Sequence, residues 1–196
     1  MQHNCANASR IIQGVLESAV QTADIILIQE PWVCSDFTAT VSHPSFEALL
    51  PQTPAGQRPR VMAFVSRSNH SLKVSPRPDL SPDTDIQVLE VSTPAIAPFM
   101  LVNIYNERNG HQQQYTLERA QGKLNIPTRC VIAGDFNAHH TLWNPLTRQH
   151  MRHEPVLELI QTHQLHLLNE PGRATFFRSN ARQNSVLDLT FCTPTL

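Results

Sequence analysis

The run CVIAGDFNAHH, residues 130–140, places a carboxylate, an amide and two imidazoles directly after a short apolar segment. Similar chemistry recurs where other apolar segments stop: Glu30 after IILIQ, Tyr105 and Asn106 after MLVNI, Asp188 within SVLDLTF, and Asn4 near the start of the chain. In an extended segment residues two apart share a face, so Asp135 and Asn137 can enter one site. Strand ends gathered on one rim of a sheet converge on one cleft. Carboxylate and amide oxygens are hard ligands suited to Mg²⁺ or Mn²⁺. Hydrolysis at a phosphate needs such a metal and a group that holds the attacking water.

Each position also has a plainer reading. Glu30, before Pro31, suits a solvated strand end, and Asp135, after Gly134, suits an ordinary turn. A lone Tyr105 is commonly an amphipathic ring at the edge of a core, and Asn4 could cap a helix. Asp188 is harder to explain this way, because a carboxylate inside an apolar strand needs a partner. Five such residues at strand ends together outweigh any one alone. The ten histidines are less informative. His139 and His140 diverge in regular structure. His150, His153, His163 and His166 read as surface residues, and without HExxH a zinc site is not expected.

The elements that must position these residues follow from periodicity. Residues 8–23 place Ile12, Val15, Leu16, Ala19 and Val20 on one helical stripe. Segment 24–31 carries four consecutive apolar residues and reads as a strand buried on both faces, stopped by Pro31. Segments 60–66, 86–92, 99–106, 130–136, 174–178 and 185–192 read as further strands, and 114–124 and 154–164 as helices. Helices and strands mix without strict alternation, which favours a layered α/β sandwich with largely antiparallel pairing over a Rossmann sheet. There is no GxGxxG or GxxxxGK to support a nucleotide-cofactor fold.

Length and composition bound the rest. The chain has 196 residues, 40% of them hydrophobic and 16% charged, which fits one globular domain. No apolar run approaches the ~20 residues of a membrane helix, and the first residues, MQHNCANASR, have no apolar signal core. The four cysteines are far apart and read as free thiols in a reducing compartment. A net charge of −1 argues against a strongly basic nucleic-acid coat. The cations are nevertheless thirteen Arg and two Lys, and arginine's planar fork suits phosphate oxygens. Arg58, Arg60, Arg178 and Arg182 are candidate backbone contacts, although compositional bias on a solvated surface explains them as well.

Taken together, QHN, ILIQEP, VNIYN, VIAGDFNAHH and SVLDLTF resemble the endonuclease/exonuclease/phosphatase superfamily. LIQEPWV, GDFNAHHTLWNP, NEPG and SVLDLTF look most like the endonuclease domain of non-LTR retrotransposons, particularly fungal ones, and the similarity runs from about Gln2 to Phe191. The resemblance implies a DNase I-like four-layered sandwich, two stacked mixed sheets flanked by helices, with the last strand missing and a single domain, 1–196, clipped at both ends. It implies Glu30 as the metal-binding carboxylate with Asn4 beside it, and Mg²⁺ or Mn²⁺ as the ion. Asp135 would hold and deprotonate the attacking water, Asn137 would bind the phosphate, Tyr105 would face it, Asp188 would back a catalytic histidine, and Ser185 would support that loop. The family's Ser-Asp-His lies beyond the strand matching SVLDLTF, whereas this sequence stops at Leu196. The implied activity is nicking of DNA to prime reverse transcription, in the nucleus, with a reverse transcriptase as C-terminal partner and no membrane. Two rivals remain: an inactive nucleic-acid- or protein-binding relic of the fold, and a phosphatase or lipid phosphodiesterase of the superfamily.

Overall fold

In this computed structural model, residues 1–108, 113–148, 150–177 and 184–196 are described. Among these residues, ten strands form two sheets. The first has the order β1-β2-β4-β3, with β1 Gln2–Asn4, β2 Ile25–Gln29, β3 Phe46–Leu49 and β4 Val61–Ser66. The second runs β5-β6-β7-β8-β10-β9, with β5 Lys73–Pro76, β6 Ile86–Thr93, β7 Ile96–Tyr105, β8 Cys130–Asp135, β9 His166–Leu167 and β10 Asp188–Cys192. Pairing is antiparallel except for β1 with β2 and β7 with β8.

Period-2 alternation sorts the strand residues into layers. Ile26, Ile28, Met62 and Phe64 pack on Ile12, Leu16 and Ala19 of helix α1, Ser9–Ala19. Their neighbours Leu27 and Ala63 face the other way and meet Leu89, Leu101 and Ala133 of the second sheet. That sheet's far side, with Val88, Val102, Ile104 and Ile132, is covered by Leu117 and Ala120 of α2, Thr116–Ala120, and by Val156 and Leu159 of α3, Glu154–His163. The layers are therefore helix, sheet, sheet, helix, which is the sandwich the sequence suggested.

The inter-sheet layer is not wholly apolar. Gln29 on β2 donates to the Asn103 side-chain oxygen on β7 at 2.6 Å, and the Asn103 amide donates to Ile28 O and Met62 O at 3.2 and 3.0 Å. This buried pair locks the two sheets in one register, since sliding would strand its polar atoms.

Several elements differ from expectation. The strand expected over 185–192 begins only at Asp188, because Leu187 and Asp188 donate their N–H groups to the Thr175 hydroxyl instead of to a neighbouring strand. The strand expected over 174–178 reduces to one bridge between Phe176 and Ser185, and Arg178 lies outside the described residues. Helix α2 is shorter than 114–124, since the chain turns at Gly122 with φ +70°. The short strands β3, β5 and β9 had no periodic signal of their own. Among the described residues no helix is long and apolar enough to cross a membrane.

Candidate active site

Strands β1 and β2 run parallel in one sheet and β7 and β8 in the other, and their C-terminal ends meet on one rim of the sandwich. β10 enters at the same rim from the opposite direction, so that Asp188 sits across from Asp135 in register. Where the apolar inter-sheet layer runs out, the next residues are Asn4, Glu30, Asp135 and Asp188. They line one cleft of about 600 Å³, together with His3, Asn169, Thr175 and Phe177.

Asp135 is the most constrained of these. Its Oδ2 accepts a hydrogen bond from Asn4 Nδ2 at 2.9 Å, and its Oδ1 accepts one from the Asn137 backbone N–H at 3.1 Å. Asn4 is itself held, because its Oδ1 accepts the Ala6 N–H at 2.9 Å. The backbone at the end of β8 is pinned by Asn106, whose N–H donates to Asp135 O and whose side chain donates to Phe136 O, both at 2.8 Å. Glu30 and Asn137 take left-handed backbone conformations, with φ of +47° and +49°. For residues other than glycine this conformation is unfavourable and persists only where the surroundings impose it.

Burial pushes the Asp135 carboxyl up to about 7; the Asn4 and Asn137 hydrogen bonds oppose this, and the nearby charges of Asp188 and Glu30 add to it. Burial also raises Asp188, against the Thr175 hydroxyl and the His3 side chain. Tyr105 lies buried beneath Arg60, whose guanidinium carbon is 4.9 Å from the ring centroid. Burial and then the adjacent Glu30 carboxylate drive its hydroxyl well above the ordinary tyrosine range, so it stays a proton donor.

This donor set fits a hard divalent cation. Three carboxylates and the Asn4 amide share one cleft, two of the carboxylates face each other, and no Lys or Arg lines the cleft among the described residues. Like charges held this close are relieved by a cation.

A sequence profile of the family described as endonuclease-reverse transcriptase matches residues 99–196, half of the chain. The chain belongs to this family, within the endonuclease/exonuclease/phosphatase superfamily. Among solved structures, the endonuclease domain of TRAS1, a telomere-specific non-LTR retrotransposon, is 26% identical with a TM-score of 0.73, over 98% of this chain and 84% of that one. A 3′-5′ exonuclease from Neisseria meningitidis is 15% identical with a TM-score of 0.58, over 97% of this chain and 85% of that one. An AP endonuclease from Archaeoglobus fulgidus is 16% identical with a TM-score of 0.52, over 97% and 83%. The last two share the fold. A search of curated proteins found no match.

Within this endonuclease/exonuclease/phosphatase fold, Asn4, Glu30, Asp135 and Asp188 line the cleft, Asn137 fixes Asp135 through its backbone, and Tyr105 lies buried behind Glu30. Ser185 pairs with Phe176 on the approach to β10. The arginines lie elsewhere. Arg60 is bound to buried Asp85, which also receives Arg119 at 2.7 Å, and Arg58 donates to Pro31 O at 2.9 Å. Arg178 and Arg182 lie outside the described residues. Sequence reasoning missed Thr175, which fixes the Asp188 backbone, and Asn169, which accepts the Thr190 N–H at 2.6 Å and donates to Asp188 O at 3.1 Å. Both reach the site from irregular chain, where no periodicity marks them; the NEPG wording was the one available signal for Asn169.

Proposed function

We propose that the domain is a Mg²⁺- or Mn²⁺-dependent DNA endonuclease that nicks one strand of a duplex, serving a retroelement whose reverse transcriptase acts on the nick in the nucleus. The observation that carries this reading is the buried Asp135 carboxylate, clamped on both oxygens and lining a cleft it shares with Glu30, Asn4 and Asp188. The 26% identity to a retrotransposon endonuclease domain supports DNA as substrate.

Glu30 and Asn4 would hold the metal, with Asp135 and Asp188 adding negative charge around it. When bound, the ion supplies positive charge to the phosphate oxygens as negative charge builds on them. Asp135 would orient a water in line with the scissile phosphorus and accept its proton on a carboxylate oxygen, as the water oxygen bonds to phosphorus and one P–O ester bond breaks. Asn4 and the Asn137 N–H keep that carboxylate aimed, and the Asn137 and Tyr105 side chains would donate toward the phosphate. Ser185 would steady the segment that carries Asp188, and any of the four candidate arginines would act only on the flanking backbone.

The test is incubation of supercoiled plasmid with the chain and Mg²⁺ or Mn²⁺, beside a mononucleotide and a sphingomyelin substrate. Open circles without phosphate or phosphocholine release are expected. Turnover of either small substrate with intact plasmid would transfer the domain to the phosphatase or lipid branch, and binding of DNA with no turnover at all would make it a binding module.

A further inference from the structure

His140, His150 and His153 are ten and three residues apart in sequence and show no ligand spacing there, yet the fold gathers them. The ring centroids of His140 lie 5.1 Å from both His150 and His153, and those two are 5.5 Å apart. One nitrogen from each ring lies within 4.8 Å of the others. We propose that these three histidines bind one divalent transition metal ion, zinc by preference, which braces the segment following Asp135 and Asn137 against the start of α3.

Three observations carry the assignment. First, His153 Nδ1 is buried and has no hydrogen-bond partner, since the nearest carboxylate oxygen, on Glu154, is 3.6 Å away. A buried orphan nitrogen calls for a proton donor or a metal. Second, the three rings are not bonded to one another among the described residues, and the neighbouring cation, Arg152, is directed away, 4.6 Å over the Tyr115 ring and 3.9 Å from Glu107. Third, the geometry is within reach. Tetrahedral zinc at ~2.0–2.1 Å from each nitrogen needs nitrogens roughly 3.3 Å apart, which each ring attains by moving about 1 Å inward. The Leu142 N–H that donates to His140 Nδ1 at 3.1 Å would give up that bond on coordination.

Imidazole donors select zinc and its neighbours over Mg²⁺, so this centre is chemically distinct from the carboxylate cleft. Its position explains what it would do. His139 already pairs with Met151 through two backbone hydrogen bonds of 2.9 and 3.2 Å, which sets the chain beside His140 against the chain beside His150. A metal on His140, His150 and His153 would tie this paired segment to the start of α3, with water in the fourth position.

The experiment is calorimetric titration of the chelator-stripped chain with zinc chloride, with cobalt as a spectroscopic probe, on the parent, His150→Ala, His153→Ala, the surface control His70→Ala, and Glu30→Gln. One zinc per chain, a tetrahedral cobalt spectrum and a higher melting temperature are expected for the parent, His70→Ala and Glu30→Gln. Affinity should fall by about 100-fold or more in His150→Ala and His153→Ala. His150 is exposed, so His150→Ala keeps the fold even if His153→Ala does not. Absence of stoichiometric zinc in the parent, retention of full affinity in His150→Ala, or loss of it in Glu30→Gln would overturn the proposal.

Discussion

Asp135 bears a cost that its neighbours only partly offset. A carboxyl whose folded pKa is raised, here to about 7, holds its proton more tightly folded than unfolded. The metal-free protein therefore loses stability as pH rises from the unfolded carboxylate range towards 7, and stays at the lower value above it. Asp135→Asn removes that loss. The variant should melt several degrees higher than the parent at pH 8 without metal, and the gain should vanish near pH 4; equal melting at both pH values would count against the buried charge. The same change should slow plasmid nicking by ~10²–10⁴-fold, the usual loss for a deleted general base. Phe177, 68% exposed at the cleft wall, offers a different residue-scale test. Stacking on one base is worth about 1–3 kcal/mol, so Phe177→Ala should weaken single-strand DNA binding by roughly 5- to 150-fold with no change in melting temperature. That Glu30 and Asp135 stand at strand ends could be read in the sequence, because each follows a short apolar run with strand character. Thr175 and Asn169 could not, since their hydrogen bonds to the β10 backbone depend on a loop returning from elsewhere.

At the scale of elements, β8 depends on a close approach to β7. Gly134 pairs in parallel with Ile104, and a methyl group built on it would overlap the Ile104 carbonyl. Gly134→Ala should therefore destabilise the fold by about 1–3 kcal/mol or more, which for a chain of this size lowers the melting temperature by roughly 2–4 °C per kcal/mol. A melting temperature within one degree of the parent would show that β7 yields. The sequence places Gly134 inside the expected strand 130–136, but it does not show why glycine is needed there. Its register is fixed by β7, β8 and β10 together, which periodicity in one segment cannot reveal. The long apolar runs gave their strands away, whereas β3, β5 and β9 are held by pairing with strands distant in sequence.

For the whole molecule, the cleft joins two sheets, so an ion there links parts of the chain 131 residues apart, as Asn4 and Asp135 already are. Ligand that binds only the folded form stabilises it in proportion to the logarithm of its excess. Millimolar Mg²⁺ should raise the melting temperature of the parent and should raise it much less in Glu30→Gln, where shape persists and charge does not. An equal rise in both would remove Glu30 from the ion's ligands. The layered architecture was legible because apolar strands, an amphipathic helix and polar strand ends all agree with it. The two-sheet register was not, because it rests on Gln29 and Asn103, an amide pair that looks like ordinary strand polarity until the sheets are stacked.

The left-handed backbone at Glu30 and Asn137 bears on how this chain would evolve under artificial selection. A library screened for thermal tolerance alone, without metal, would gain by placing glycine at position 30 and a neutral side chain at position 135, since each relieves a local penalty. Survivors of such a screen should be hardier and inert, with their substitutions concentrated on this rim. Where natural copies of such a sequence have stopped cutting, the same two positions are the ones expected to drift first.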